Sequence, residues 1–239
     1  MSGEGQGALI SESDIRNDVC AVIPCFNESR SIAHVVGGVR EHFATVLVID
    51  DGSADTTARE AERAGAIVLK QPRNLGKGAA LKTGFAWAAE HGFRAALTLD
   101  GDGQHDTREI PLFLSEFDTG HCDIVVGNRM TDLAPMPPLR RWTNRFTSWA
   151  LSRMAGQKIC DSQCGYRLIS IATWKAVRLE TRRYELESEI LIRACRHGAR
   201  LKQVKVRTIY FHAAQSKINP ITDAYRFVRL LWRCRKASI

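Results

Sequence analysis

Asp100-Gly101-Asp102 sets two carboxylates one small residue apart, directly after an apolar run. Where the chain turns, both can meet a single hard cation, and Gly101 and Gly103 permit such a turn. Gln104 offers a third oxygen. This all-oxygen set suits Mg²⁺ or Mn²⁺ and leaves coordination positions for diphosphate oxygens. Asp-Gly-Asp is also a common surface turn, and the three residues alone do not separate the two readings. Asp50-Asp51-Gly52-Ser53 is similarly double. It reads as an Asp turn ahead of a helix capped by Asp55, or as a carboxylate accepting from a nucleotide base or ribose hydroxyl. In Asn74-Leu75-Gly76-Lys77-Gly78 a lysine stands between glycines at a helix start. Backbone N–H groups and an ammonium there favour an anion, although a plain helix N-terminus fits equally. No GxxxxGK[ST] loop is present.

Alternating apolar runs and helical patterns position these residues. Strands are predicted over 19–24, 46–49, 66–69, 95–99 and 123–127, and helices over 29–42, 56–64, 77–91 and 107–117. Ser29 or Ser31 is the expected cap of the first helix. Continuous apolar strands separated by helices predict an α/β fold, Rossmann-like, with a mostly parallel central sheet and helices on both faces. Ligands bind such sheets at the carboxyl ends of the strands. The clusters at 25–28, 50–53 and 100–105 all follow strands and should face one crevice.

The second half is less regular. Residues 133–160 contain no acidic residue and begin Pro-rich. Helices are predicted over 141–155, 185–197 and 220–235, and a strand or strand pair over 201–210. No domain boundary stands out. Residues 1–17 read as a flexible N-terminus and 18–239 as a single domain, with a basic elaboration from about 133. The net charge is +8, but residues 1–132 carry −8 and residues 133–239 carry +16. That asymmetry suggests an anionic partner such as phosphate, nucleic acid or an acidic membrane face. No nucleic-acid motif accompanies it, and the acidic clusters would go unexplained, so no nucleic acid is expected. Seven dispersed cysteines fit buried thiols in a reducing compartment better than zinc. No signal peptide and no apolar run long enough to span a bilayer is read.

In order along the chain, Val22-Ile23-Pro24-Cys25-Phe26-Asn27-Glu28, Val48-Ile49-Asp50-Asp51-Gly52-Ser53, Arg73-Asn74-Leu75-Gly76-Lys77-Gly78, Asp100-Gly101-Asp102-Gly103-Gln104-His105, Val126-Gly127-Asn128-Arg129, Asp161 to Arg167, Tyr184 to Glu189 and Ser216-Lys217 resemble glycosyltransferase family 2. Within it the chain is most similar to the polyprenyl-phosphate (dolichol-phosphate) sugar transferases, over residues 19–220. The resemblance implies a GT-A fold and an inverting, metal-dependent transfer of a hexose from a nucleotide-sugar. It implies that Pro24, Phe26, Asn27, Glu28, Asp51 and Lys77 line the nucleotide pocket, with Lys217 a candidate phosphate ligand. Asp100, Asp102 and Gln104 would hold Mg²⁺ or Mn²⁺, and Arg129 would contact the donor sugar or its phosphates. Arg140 and Asn144 fall where those enzymes use Arg and Ser to hold the acceptor phosphate. Arg167 matches a family arginine near the acceptor side or is structural. An arginine that those enzymes carry six residues before the Ser-Lys lysine is Phe211 here, with His212 beside it.

A hydroxyl acceptor needs a general base, and hydroxyl-directed family members usually carry a Glu-Asp pair after the metal motif. This chain has no Glu-Asp dipeptide. An ionised phosphate monoester needs no strong base, so a polyprenyl phosphate is favoured over a soluble or glycan hydroxyl. A processive synthase motif is broken, because Pro138 stands where Q-x-x-R-W needs Gln. Trp142 and Trp149 in the acid-free segment, and the basic amphipathic pattern over 220–235, suggest a peripheral seat on the inner face of a membrane. A packed helix with a solvated basic face is the other reading of each.

Overall fold

Val19–Cys25 is apolar and buried from end to end, which is why it forms an inner strand, β1. The computed structural model describes residues 15–131, 138–207, 209 and 220–236, with the backbone alone for 138–140, 220–225 and 236. The elements that follow β1 are α1 (Ile32–Arg40), β2 (Val46–Asp50), α2 (Thr57–Arg63), β3 (Ile67–Lys70), α3 (Lys77–Glu90) and β4 (Ala95–Thr98). Then come a 3-10 turn (Thr107–Glu109), α4 (Ile110–Asp118), β5 (Ile124–Asn128), α5 (Pro138–Ala155), β6 (Arg167–Ser170) and α6 (Ile171–Ala176). The chain ends with α7 (Glu185–Arg196), β7 (Leu201–Lys205) and α8 (Pro220–Lys236).

The seven strands lie in the order β3-β2-β1-β4-β6-β5-β7. All neighbours are parallel except β6, which runs antiparallel between β4 and β5. Alternate residues of one strand feed two separate cores. Cys20 and Val22 face α3, α5, α7 and α8, whereas Val19, Ala21 and Ile23 face α1, α2 and α4. Helices thus cover both faces, as period-two alternation in a sheet requires. Leu97 in β4 is fully buried, so Leu97→Ala would cost about 2–5 kcal/mol through the cavity it leaves.

The strand order reverses between β1 and β4, and ligands bind such sheets outside the carboxyl ends of the strands at that switch point. Three expectations shift. Of the strand pair or single long strand predicted over 201–210, the described residues form one shorter edge strand, Leu201–Lys205, paired parallel to β5. Ser31 stands at the α1 N-cap but its side chain caps nothing, because its hydroxyl donates to the Gly101 and Glu28 carbonyls. The helix predicted over 107–117 is split into the 3-10 turn and α4, with Pro111 at the start of α4.

Candidate active site

Hydrogen bonds between backbone and side chains tie the loops after β1 and β2 together, and Ser31 Oγ joins the loop after β4 through the Gly101 carbonyl. Asn27 adopts φ 56°, the single non-glycine positive φ among the described residues. That geometry lets its N–H donate to Ser53 Oγ while its Oδ1 accepts from Ala54 N–H, both at 2.9 Å. Glu28 N–H donates to Thr57 Oγ1, and Asp55 accepts from the N–H groups of Thr57 and Ser29. Asp50 closes an Asp turn by accepting from Ser53 N–H. Asp51 is buried, and its two oxygens accept from Leu75 and Gly76 N–H, each at 2.8 Å. Asp51 therefore shapes the loop that starts α3. Pro24 lies within β1, opposite Ile49.

Asp100 and Asp102 follow β4. Gly103 takes the left-handed φ of 76°, whereas Gly101 is small for another reason: a Cβ there would lie 2.4 Å from Cys25 Sγ. Lys77, first residue of α3, reaches across the crevice. Its Nζ lies 2.6 Å from Asp100 Oδ1 and 3.0 Å from Glu187 Oε2. His105 Nε2 stands 3.6 Å from Asp100 Oδ2. Burial works against the Asp100 charge, but Lys77, helped by His105, outweighs it and holds this carboxyl well below the usual range. Asp102 goes the other way: burial first, and the Asp100 charge second, push its carboxyl up. Burial likewise opposes the Lys77 charge, and Asp100 and Glu187 together raise its pKa.

Glu187 was not singled out from the sequence. Three glutamates fall within Glu185–Glu189, and only the helix phase separates them. Glu187 turns to Lys77. Glu189, fully buried, instead accepts from Glu180 and Thr181 N–H and from Arg193. Gly165 completes the cluster. A Cβ there would lie 2.8 Å from Lys77 Nζ, 3.0 Å from Asp100 Oδ2 and 3.2 Å from Glu187 Oε1.

Arg129 follows β5 and makes a two-pronged pair with Asp161, whose side chain is fully buried. Asn144 donates to the same carboxylate at 2.8 Å and accepts from Ser148 Oγ. Asn144 is 2 % exposed, so its amide positions Asp161 from behind and does not face an open acceptor surface. Arg167 is 1 % exposed. Its guanidinium donates to the carbonyls of Cys164, Ser162 and Glu187. Of its two readings, the geometry favours the structural one, with backbone carbonyls as partners in place of a carboxylate. The Arg140 side chain and Lys217, with Phe211 and His212, lie outside the described residues. All seven cysteines are free, and all but Cys160 are buried.

The family model described as "Glycosyl transferase family 2" matches residues 20–177. The chain belongs to glycosyl transferase family 2. This family 2 chain is 30% identical over 217 residues to an undecaprenyl-phosphate mannosyltransferase of Micrococcus luteus, covering 84% of this chain and 87% of that one. It is 29% identical over 234 residues to a UDP-N-acetylglucosamine–dolichyl-phosphate N-acetylglucosaminyltransferase of Methanococcus voltae, covering 88% and 93%. Among solved structures, glucosyl-3-phosphoglycerate synthase of Mycobacterium tuberculosis in complex with Mg²⁺ and UDP superposes with a TM-score of 0.70. The identity is 20%, with 93% of this chain and 81% of that one covered. The fold is GT-A, and the chain is a glycosyltransferase similar to the polyprenyl-phosphate sugar transferases.

Proposed function

We propose that this chain moves a hexose from a nucleotide-sugar, GDP-mannose or UDP-glucose, onto a polyprenyl phosphate at a membrane surface. The observation that carries the acceptor is that Asp161, Glu187 and Asp100 are all held in ion pairs. Asp161 is tied to Arg129 and Asn144, and Glu187 to Lys77. Asp100 is tied to Lys77 as well. A hydroxyl acceptor would need a carboxylate base for its proton, and Asp102, which no ion pair among the described residues holds, is assigned to the metal. A phosphate monoester arrives already ionised. One of its oxygens bonds to the anomeric carbon from the face opposite the leaving group, so the configuration inverts. The bond from that carbon to the diphosphate oxygen breaks, and its electron pair leaves with the nucleoside diphosphate. Among the described residues, Lys77 and Arg129 would offset that charge.

The residues present fit a divalent cation. Asp100 and Asp102 stand two residues apart, and burial first, with the Asp100 charge second, pushes the Asp102 carboxyl up. Among the described residues no three His, Cys, Asp or Glu side chains form a complete cage. Asp100 and Asp102 would hold Mg²⁺ or Mn²⁺, with Gln104 as a third protein ligand and diphosphate oxygens in the remaining positions. When bound, the cation takes up negative charge on the departing diphosphate.

The membrane reading rests on α5. Trp142, Phe146 and Trp149 are 67%, 50% and 60% exposed, and they form one aromatic stripe with ring centroids 5.8 and 6.1 Å apart. Arg145 and Arg153 are exposed on the same acid-free helix, and Val228 and Trp232 are exposed on α8. No helix among the described residues is long and apolar enough to cross a bilayer. An aromatic stripe with arginines beside it suits the interface of an acidic membrane, and the inner face is the proposed location.

A thermal-shift panel of GDP-, UDP- and dTDP-sugars with Mn²⁺, repeated on Asp102→Ala, tests the donor and metal. Ligand stabilisation follows mass action, about 2.7 kcal/mol at a hundredfold excess over Kd. The donor should raise the melting temperature of the unaltered chain and lose most of that effect in D102A. Equal stabilisation of both would refute the metal role.

A further inference from the structure

Lys77 holds two carboxylates where one ammonium needs a single counter-ion. Asp100 Oδ1 is 2.6 Å from Nζ and Glu187 Oε2 is 3.0 Å. The Lys77 and Glu187 side chains are 15% and 14% exposed and that of Asp100 33%, so water reaches the trio mainly from the Asp100 side. While Nζ sits on Oδ1, the ammonium competes with a divalent ion for that oxygen. Glu187 is also fixed in place. Arg167, buried in β6, donates to the Glu187 carbonyl and to the carbonyls of Cys164 and Ser162. One guanidinium thereby clamps the first turn of α7 to the loop that carries Gly165, whose bare Cα faces all three charges. Nothing in the transfer step described above calls for Glu187.

We infer that Glu187 is a positioning residue that retains the Lys77 ammonium when a divalent cation takes Asp100. Lys77 exchanges from two carboxylates to one, stays in the crevice, and leaves Oδ1 to the metal. The inference rests on the proposed metal site. It differs from a general electrostatic role because Glu187 acts through Lys77 and through its reach, not through its charge alone.

Mn²⁺ affinity without nucleotide, followed by water-proton relaxation, separates the two. The proteins are the unaltered chain, K77M, E187Q, E187D, K77M/E187Q and D102A, each checked for folding by its thermal melt. K77M should bind Mn²⁺ about five- to tenfold tighter, because a competing cation has gone. E187Q should bind several-fold more weakly, since the ammonium is then left to Asp100 alone. E187D keeps the charge, loses the reach, and should be weakened too. In the K77M background the E187Q effect should vanish, which is the signature of a coupled pair. Persistence of the E187Q loss in K77M/E187Q, or an E187D affinity equal to the unaltered chain, would overturn the role of Glu187 and leave the metal site standing. Binding by D102A equal to the unaltered chain would overturn the metal site itself, and the exchange with it.

Discussion

Arg129 and Asp161 are joined by two parallel hydrogen bonds, Nε to Oδ2 at 2.8 Å and Nη2 to Oδ1 at 3.0 Å, and the Arg129 backbone N–H adds a third at 3.1 Å. Burial would raise the Asp161 carboxyl, yet Arg129, with Asn144 behind it, holds it below the ordinary value. A depressed acid contributes stability above its unfolded pKa and loses it as the pH falls through the folded one. Asp161→Asn leaves a largely buried guanidinium without its counter-ion and should cost about 3–5 kcal/mol in urea denaturation. R129M/D161L should recover much of that loss. A D161N stability within about 0.5 kcal/mol of the unaltered chain would contradict the pairing.

Gly165→Ala tests the close packing of the charged cluster. The added methyl meets the flexible end of Lys77 first, so the melting temperature should barely move. Displacing Nζ and the two carboxylates should lower kcat/KM by about tenfold or more, since small misplacements at a reacting centre are costly. Unchanged kcat/KM would show that Lys77, Asp100 and Glu187 tolerate rearrangement.

Asp102 should give Mn²⁺ binding its pH dependence. Its carboxyl titrates above the ordinary 3.8, through burial and the charge of Asp100. A raised acid favours the protonated folded state, so it costs stability at neutral pH and that cost is relieved on acidification. Mn²⁺ must displace this proton, so affinity should fall on acidification from a pH above the usual carboxylate range. Asp100→Asn weakens binding overall and should move that limb to lower pH. Titration of Mn²⁺ affinity over about pH 4–7 checks both; an unmoved limb in D100N would contradict the coupling.

The parallel half of the fold was legible because β1, β2 and β5 are nearly pure apolar runs, the pattern of strands buried on both faces. The antiparallel strand β6 escaped notice. It is four residues long and begins with Arg167, a residue type that reads as surface until its three carbonyl partners are seen. The six-residue α6 was missed for the same shortness. The ordered motifs single out Asp100, Asp102, Lys77 and Arg129, yet spacing carries no partner information. That Asp51 spends its carboxylate on Leu75 and Gly76, and Asn144 its amide on Asp161, depends on contacts 24, 25 and 17 residues apart in sequence.

The stripe on α5 should carry membrane contact. Replacing Trp142, Phe146 and Trp149 together with Ser removes three exposed rings and should leave the melting temperature nearly unchanged. Pelleting with phosphatidylserine-containing vesicles at low salt should fall by about tenfold, and high salt should weaken pelleting of the unaltered chain. No pelleting of the unaltered chain at low salt would refute the membrane seat.

The acceptor is the most direct test. The protein is incubated with Mn²⁺, undecaprenyl phosphate in detergent, and sugar-labelled GDP-mannose or UDP-glucose in turn, and label is counted after organic extraction. Acid-labile label in the organic phase with one donor, absent without the lipid phosphate and lost in D102A, is the predicted result. Label transferred only to a water-soluble glycoside added in parallel, with none on the lipid phosphate from either donor, would contradict it.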